Sequence, residues 1–111
     1  MLTASTFPKE YYAVIFSSRL RTDEEPGYEA MAEKMVTLAQ DQKGFLGIES
    51  ARDMDGFGIT VSYWESQEDI SQWKKNSEHR LAQEYGRSKW YQSFAIRVCK
   101  VTRDYDFMRR A

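Results

Sequence analysis

Residues 45–64, FLGIESARDMDGFGITVSYW, read as two strands closed by a tight turn. Phe45 to Asp53 and Phe57 to Trp64 are rich in aromatic and β-branched residues. Asp55-Gly56 between them suits the positive φ angles of a short hairpin. A turn this short makes the two strands antiparallel neighbours. Upstream, a helical pattern stops at Lys43-Gly44, a cation in the last turn followed by a residue that adopts the left-handed conformation without a Cβ penalty. Downstream, Glu65-Ser66 leaves the apolar run for Glu68-Asp69, acidic residues that suit the first turn of a helix. The hairpin is therefore framed by helices on both sides.

Tyr11 to Leu20, YYAVIFSSRL, supplies a strand before the first helix. One of its faces carries Tyr12, Val14, Phe16, Ser18 and Leu20; the other carries Tyr11, Ala13, Ile15, Ser17 and Arg19. Apolar groups on both sides mean that both sides need a cover. The first helix follows the turn segment RTDEEPG and shows Tyr28, Met31, Ala32, Met35, Leu38 and Ala39 at spacings of three and four. Beyond the hairpin, residues 64–91, WESQEDISQWKKNSEHRLAQEYGRSKWY, hold all three tryptophans and the only histidine. Ile70 and Trp73 share a helical face there, and Asn76-Ser77 offers a fresh N-cap, so two helical pieces with a break are expected, ending at Gly86. Tyr91 to Thr102 makes the last strand, with Phe94, Ile96 and Val98 on one face and Ala95, Cys99 and Val101 on the other.

The resulting order, βαββαβ, is that of a ferredoxin-like α+β fold, a four-stranded antiparallel sheet with both helices on one face. Its other face is then bare. An apolar face of four strands exceeds what soluble monomers usually expose, which predicts a homodimer through that face.

The chain has 111 residues, 41% of them hydrophobic and 14% aromatic, enough for the core of one domain. Residues 1–10 read as a flexible leader, 11–105 as the domain and 106–111 as a C-terminal tail. Sixteen basic against seventeen acidic residues leave a formal charge of −1 and no positive field for a phosphate backbone, so nucleic acid is not an expected partner. No apolar run approaches the roughly 20 residues of a membrane span, and the first ten residues lack signal-peptide regions. A soluble cytoplasmic protein with no membrane partner is expected. Cys99 has no second cysteine to pair with and reads as a buried, inert thiol.

No zinc set, phosphate loop or nucleophile elbow stands in the sequence, which removes hydrolase, kinase and dinucleotide readings and leaves no expected metal ligands. What remains is an apolar, protein-walled pocket suited to an aromatic or hydrophobic small molecule. His79 is the one side chain whose ordinary pKa suits proton transfer near neutrality, although an imidazole early in a helix is more often structural. Trp73 could wall a planar ligand by stacking or pack under the second helix. Arg87 and Arg97 could clamp an anion, against the commoner fate of surface ion pairs.

Gly44-Phe45-Leu46-Gly47, Trp64-Glu65-Ser66, Trp73, and His79 with Ala82-Gln83, Gly86-Arg87 and Trp90-Tyr91 together resemble the antibiotic biosynthesis monooxygenase domain of the dimeric α/β-barrel superfamily, over Tyr11 to Tyr105. The resemblance implies a cleft between sheet and helices and either of two chemistries. One is oxidation of polycyclic aromatics by O2 without metal or flavin; the other is haem binding and degradation. It places Ser18 where the family has a strand-one asparagine and Trp73 on the helix-two tryptophan, while an ungapped match puts Gln83, not His79, at the iron-ligand position. The expected catalytic residues are thus His79, Trp73 and Ser18, with Tyr12, Phe16, Arg87, Gln83 and Trp90 lining the ligand. No cofactor is strictly required, haem being the one the family admits. A non-catalytic ligand-binding or stress-related module of the same fold is the alternative to the enzyme.

Overall fold

The computed structural model describes residues 6–7, 9–21, 27–84 and 90–109, with the side chains of 79–84 outside the description. Six elements follow in order: β1 (Tyr11–Leu20), α1 (Tyr28–Gln40), β2 (Phe45–Arg52), β3 (Phe57–Trp64), α2 (Gln67–Glu84) and β4 (Tyr91–Val101). The strands form one sheet in the order β2-β3-β1-β4, and every neighbouring pair is antiparallel. This is the ferredoxin-like arrangement that the strand and helix order implies. No helix among the described residues is long and apolar enough to cross a membrane.

The β2–β3 turn differs in detail from the expected dipeptide turn. Only Gly56 has a positive φ, 89°. Gly56 N–H donates to Asp53 O and Asp53 N–H to Phe57 O, which gives a three-residue loop ending on a left-handed glycine. Asp53 Oδ1 accepts from Asp55 and Phe57 N–H at 3.0 and 2.9 Å, so its side chain holds the loop in place of a second positive φ.

Strand register sorts the sheet into two faces. On the helix side lie four rows across β2, β3, β1 and β4: Phe45–Trp64–Tyr12–Lys100, Ile48–Ser62–Val14–Val98, Ser50–Thr60–Phe16–Ile96 and Arg52–Gly58–Ser18–Phe94. Trp64 is fully buried there, between Phe45 and Trp73, and its Nε1–H donates to Ser62 Oγ at 2.8 Å. Met31 and Ala39 of α1 and Ile70 of α2 join it in the core. The helices therefore roof the β2–β3 half of the sheet.

Helix α2 starts as its acidic first turn predicts. Ser66 Oγ accepts from Asp69 N–H at 3.1 Å and donates to the Asp69 carboxylate at 2.8 Å, a reciprocal cap. That carboxylate fills the space above Gly44, where a Cβ would lie 2.0 Å from it; the glycine, at φ 82°, is required twice over. The expected break at Asn76-Ser77 is absent, and α2 runs unbroken from Gln67 to Glu84. Asn76 Nδ2 instead donates to Gln42 Oε1 at 2.7 Å, and Ser77 Oγ donates back to Lys74 O at 3.1 Å. Both polar side chains find partners without interrupting the helix. The expected stop at Gly86 lies outside the described residues.

The opposite face is covered at one end only. Tyr11 and Ala13 are buried where Phe7 packs edge-on against Tyr11 and the Tyr11 hydroxyl donates to Asp104. Phe7 N–H also donates to Asp104, and Thr6 Oγ1 to Asp106, so the two ends of the chain are stitched together. Toward the other end Phe57 and Ile59 are exposed. Cys99 shares this face and is exposed, which corrects the expectation of a buried thiol: it lies on β4, an edge strand of the sheet.

Candidate functional site

The last helix-side row forms the polar end of the candidate site. Arg52 and Ser18 flank Gly58 on the two neighbouring strands, and the missing side chain at Gly58 is what lets them meet. A Cβ on Gly58 would lie 2.6 Å from the guanidinium carbon. Lying across that gap, Arg52 Nη2 donates to Ser18 Oγ at 3.0 Å and to the Tyr28 hydroxyl at 3.0 Å, while Nη1 donates to Gly56 O. The guanidinium also sits 5.4 Å from the Tyr28 ring centroid, a cation–π distance. Among the described residues every partner of Arg52 is uncharged.

Tyr91 joins this network to an apolar floor. Its ring packs edge-on against those of Tyr28, Phe16 and Phe94 at 5.9, 5.5 and 5.8 Å. Burial pushes its pKa well above the ordinary phenol value, Tyr28 adds to the rise, and the Arg52 charge opposes it. It is therefore neutral at any physiological pH. Phe16 and Phe94 stack at 5.4 Å with planes 25° apart. Beyond them the floor is open: Phe94, Ile96 and Val98 face the helix side yet remain 37%, 50% and 51% exposed. α2 packs on β3, and among the described residues these apolar side chains of β4 stay exposed beside the guanidinium–hydroxyl cluster.

The expected site residues separate into groups. Ser18 is 3% exposed and bonded to Arg52, and Phe16 lies in the floor beside it. Tyr12 lies at the other end of the same face of β1, in the row of Trp64, about 20 Å away by the rise of a strand. Trp73 stands at that far end too, with its ring stacked 5.8 Å from Trp64 at 25°, so in this structure it packs the core beneath α2. Trp90, 2% exposed, sets its ring edge-on to Tyr28 and backs the polar cluster from behind. His79 and Gln83 lie on α2 with side chains outside the description, and Arg87 lies outside it altogether. Arg97 pairs with Ile15 on the face away from the helices. Arg52, Tyr28 and Tyr91, which gather beside Ser18 here, stood outside the expected set. The signal that could have found them is Gly58, since a glycine inside a strand marks a close approach by another group.

A ferredoxin-like α+β domain with exposed apolar side chains beside a guanidinium–hydroxyl cluster on its helix side is the class that this geometry defines. The family model of antibiotic biosynthesis monooxygenases matches residues 11–85, and the chain belongs to that family. It is 57% identical over 93 residues to the uncharacterized protein YqjZ of Bacillus subtilis, covering 84% of this chain and 81% of that one. To a jasmonate monooxygenase of Pyricularia oryzae it is 27% identical over 95 residues, which span 82% of this chain but 43% of that longer protein. A Pseudomonas aeruginosa protein of known structure shares the fold with a TM-score of 0.67 at 14% identity, over 90% of this chain and all of that one. A substituted MhuD crystallised with two manganese protoporphyrin IX molecules per active site also superimposes with a TM-score of 0.67 at 18% identity, over 86% and 99% of the two chains.

Proposed function

We propose that the protein is a monooxygenase-like enzyme that holds an aromatic or hydrophobic small molecule in the cleft between sheet and helices. The observation that carries this reading is the exposed apolar floor, Phe94, Ile96 and Val98, ending at the Ser18–Arg52–Tyr28 cluster. Apolar residues left open on the inner side of a sheet, beside a few convergent polar groups, are the usual composition of a small-molecule site. Family membership supplies the reaction class. Removing a proton from an activated methylene leaves an electron-rich anion that reacts with O2 directly. The hydroperoxide formed then loses water, so that one methylene and one dioxygen become one carbonyl and one water, with no metal or flavin. His79 is the residue proposed to take the proton. Ser18, which accepts from a guanidinium, retains its own proton to donate and so suits the stabilisation of developing negative charge rather than proton removal.

Oxygen uptake with a panel of anthrones tests this directly. Uptake by the wild type, reduced in both His79→Ala and Ser18→Ala, is the expected result; no uptake across the panel would leave a binding module that holds its ligand without turnover. Haem is a second reading, supported by the likeness to the porphyrin-bound MhuD structure. A Soret shift on haem titration that is lost in His79→Ala would favour it, with His79 rather than the matched Gln83 as the iron ligand. We further propose that the functional unit is a homodimer formed through the face that carries Phe57 and Ile59, because that face is apolar and only partly covered by the chain's own termini.

A further inference from the structure

Among the described residues, the polar cluster around Arg52 holds more donors than acceptors. An arginine brings five N–H groups and accepts nothing, and Ser18, Tyr28 and Tyr91 each add a hydroxyl proton. Against these stand the Gly56 carbonyl and the hydroxyl oxygens themselves, all neutral. A hydroxyl that accepts from a cation directs its own proton elsewhere, so Ser18 and Tyr28 add to the surplus. Because Ser18 is 3% exposed and Arg52 only partly exposed, water satisfies this surplus less freely than it would at an open surface. The position of the charge is also built rather than incidental: Gly58 provides the groove and the Tyr28 ring the wall against which the guanidinium lies.

We infer that Arg52, with Ser18 and Tyr28, receives the anionic oxygen of an organic acid whose apolar body rests on Phe94 and Ile96. This rests on the cleft being the ligand site, and it narrows the ligand from any hydrophobic molecule to an apolar anion. A carboxylate fits best, because its planar pair of oxygens matches a planar guanidinium. The distribution of the site agrees with such a ligand: charge recognition at the β2–β1 end, an uncharged floor along β4, and Tyr91 at the junction touching both.

Calorimetric titration at pH 7.5 with 2-naphthoate and with neutral 2-naphthamide, which shares its ring system, tests the inference. The wild type is expected to prefer the carboxylate by about tenfold or more, a difference of about 1.4 kcal/mol. Arg52→Gln should bring that preference below about threefold. Gly58→Ala displaces the guanidinium without removing its charge and should also erase the preference; it carries the test if Arg52→Gln fails to fold. Equal binding of the two probes by the wild type overturns the inference while leaving the cleft intact as a hydrophobic site. So does a preference that survives both substitutions. Binding of neither probe removes the cleft reading itself, and the inference with it.

Discussion

Arg52 reaches Ser18 across the backbone of Gly58, bridging β2 to β1 over the intervening strand with an Nη2–Oγ distance of 3.0 Å. A charged donor on a buried hydroxyl is among the stronger hydrogen bonds, worth about 1.5–3 kcal/mol. A double-mutant cycle with Arg52→Met and Ser18→Ala should therefore show a coupling energy of about 1–2 kcal/mol in urea unfolding. Repeating the cycle on a Gly58→Ala background should bring the coupling close to zero, since the new Cβ occupies the guanidinium's place. Coupling that persists there would mean that the bridge does not depend on the glycine.

Trp64 and Trp73 stack, but they differ in burial. Trp64 is 0% exposed and its indole N–H is bonded to Ser62, whereas Trp73 is half-buried on the outer layer of the stack. Trp64→Ala should cost about 3–5 kcal/mol, the range for removing a large aromatic from a core. Trp73→Ala should cost clearly less, by the same denaturant titration. Equal losses would place Trp73 in the core proper, and a negligible loss for Trp73→Ala would show that the stack contributes little.

The element order was legible because Gly44 and Gly56 at positive φ precede β2 and β3 and Ser66 with Asp69 opens α2, although α1 itself ends earlier than expected, at Gln40, with no cation in its last turn. The continuity of α2 was not, because Asn76 and Ser77 look like a cap until Gln42, 34 residues away in sequence, is seen to take the amide. Of the candidate site, the shared face of Ser18 and Phe16 was legible and the inward turn of Arg52 was not. An arginine at a strand end reads as a solvated charge, and only the register that sets Gly58 between Arg52 and Ser18 turns it inward. Cys99 misled for a related reason, since the sequence shows an apolar strand but not that the strand is an edge.

Alkaline stability should report on Tyr11. Burial, then its hydrogen bond to Asp104 and that residue's negative charge, push its pKa up to about 12, from an unfolded value of about 10. The folded form keeps its proton where the unfolded form has lost it, so this contribution is complete below pH 10 and is lost as pH rises toward about 12. Tyr63, bonded to Glu49 and packed on Tyr11, is raised further for the same first cause and extends the decline. Tyr11→Phe removes the Tyr11 part and should flatten the fall of melting temperature between pH 10 and 12. An unchanged slope would mean that Tyr11 titrates normally in the folded chain.

A homodimer through the face away from the helices predicts the behaviour of Ile59 and Cys99 together. Ile59 pairs with Ser17 on β1 and Cys99 with Ala13, so both lie on that one face, and both are exposed in the single chain. Burying a charge at the centre of an apolar contact is costly, so Ile59→Lys should shift the protein from dimer to monomer in sedimentation equilibrium at micromolar concentration. Met54→Lys, at the fully exposed tip of the β2–β3 loop, should leave the dimer intact. The Cys99 thiol should then react slowly with Ellman's reagent in the wild type and faster in Ile59→Lys. A monomeric wild type, or a thiol equally reactive in both proteins, would remove this face from the assembly and require its apolar residues to serve some other partner.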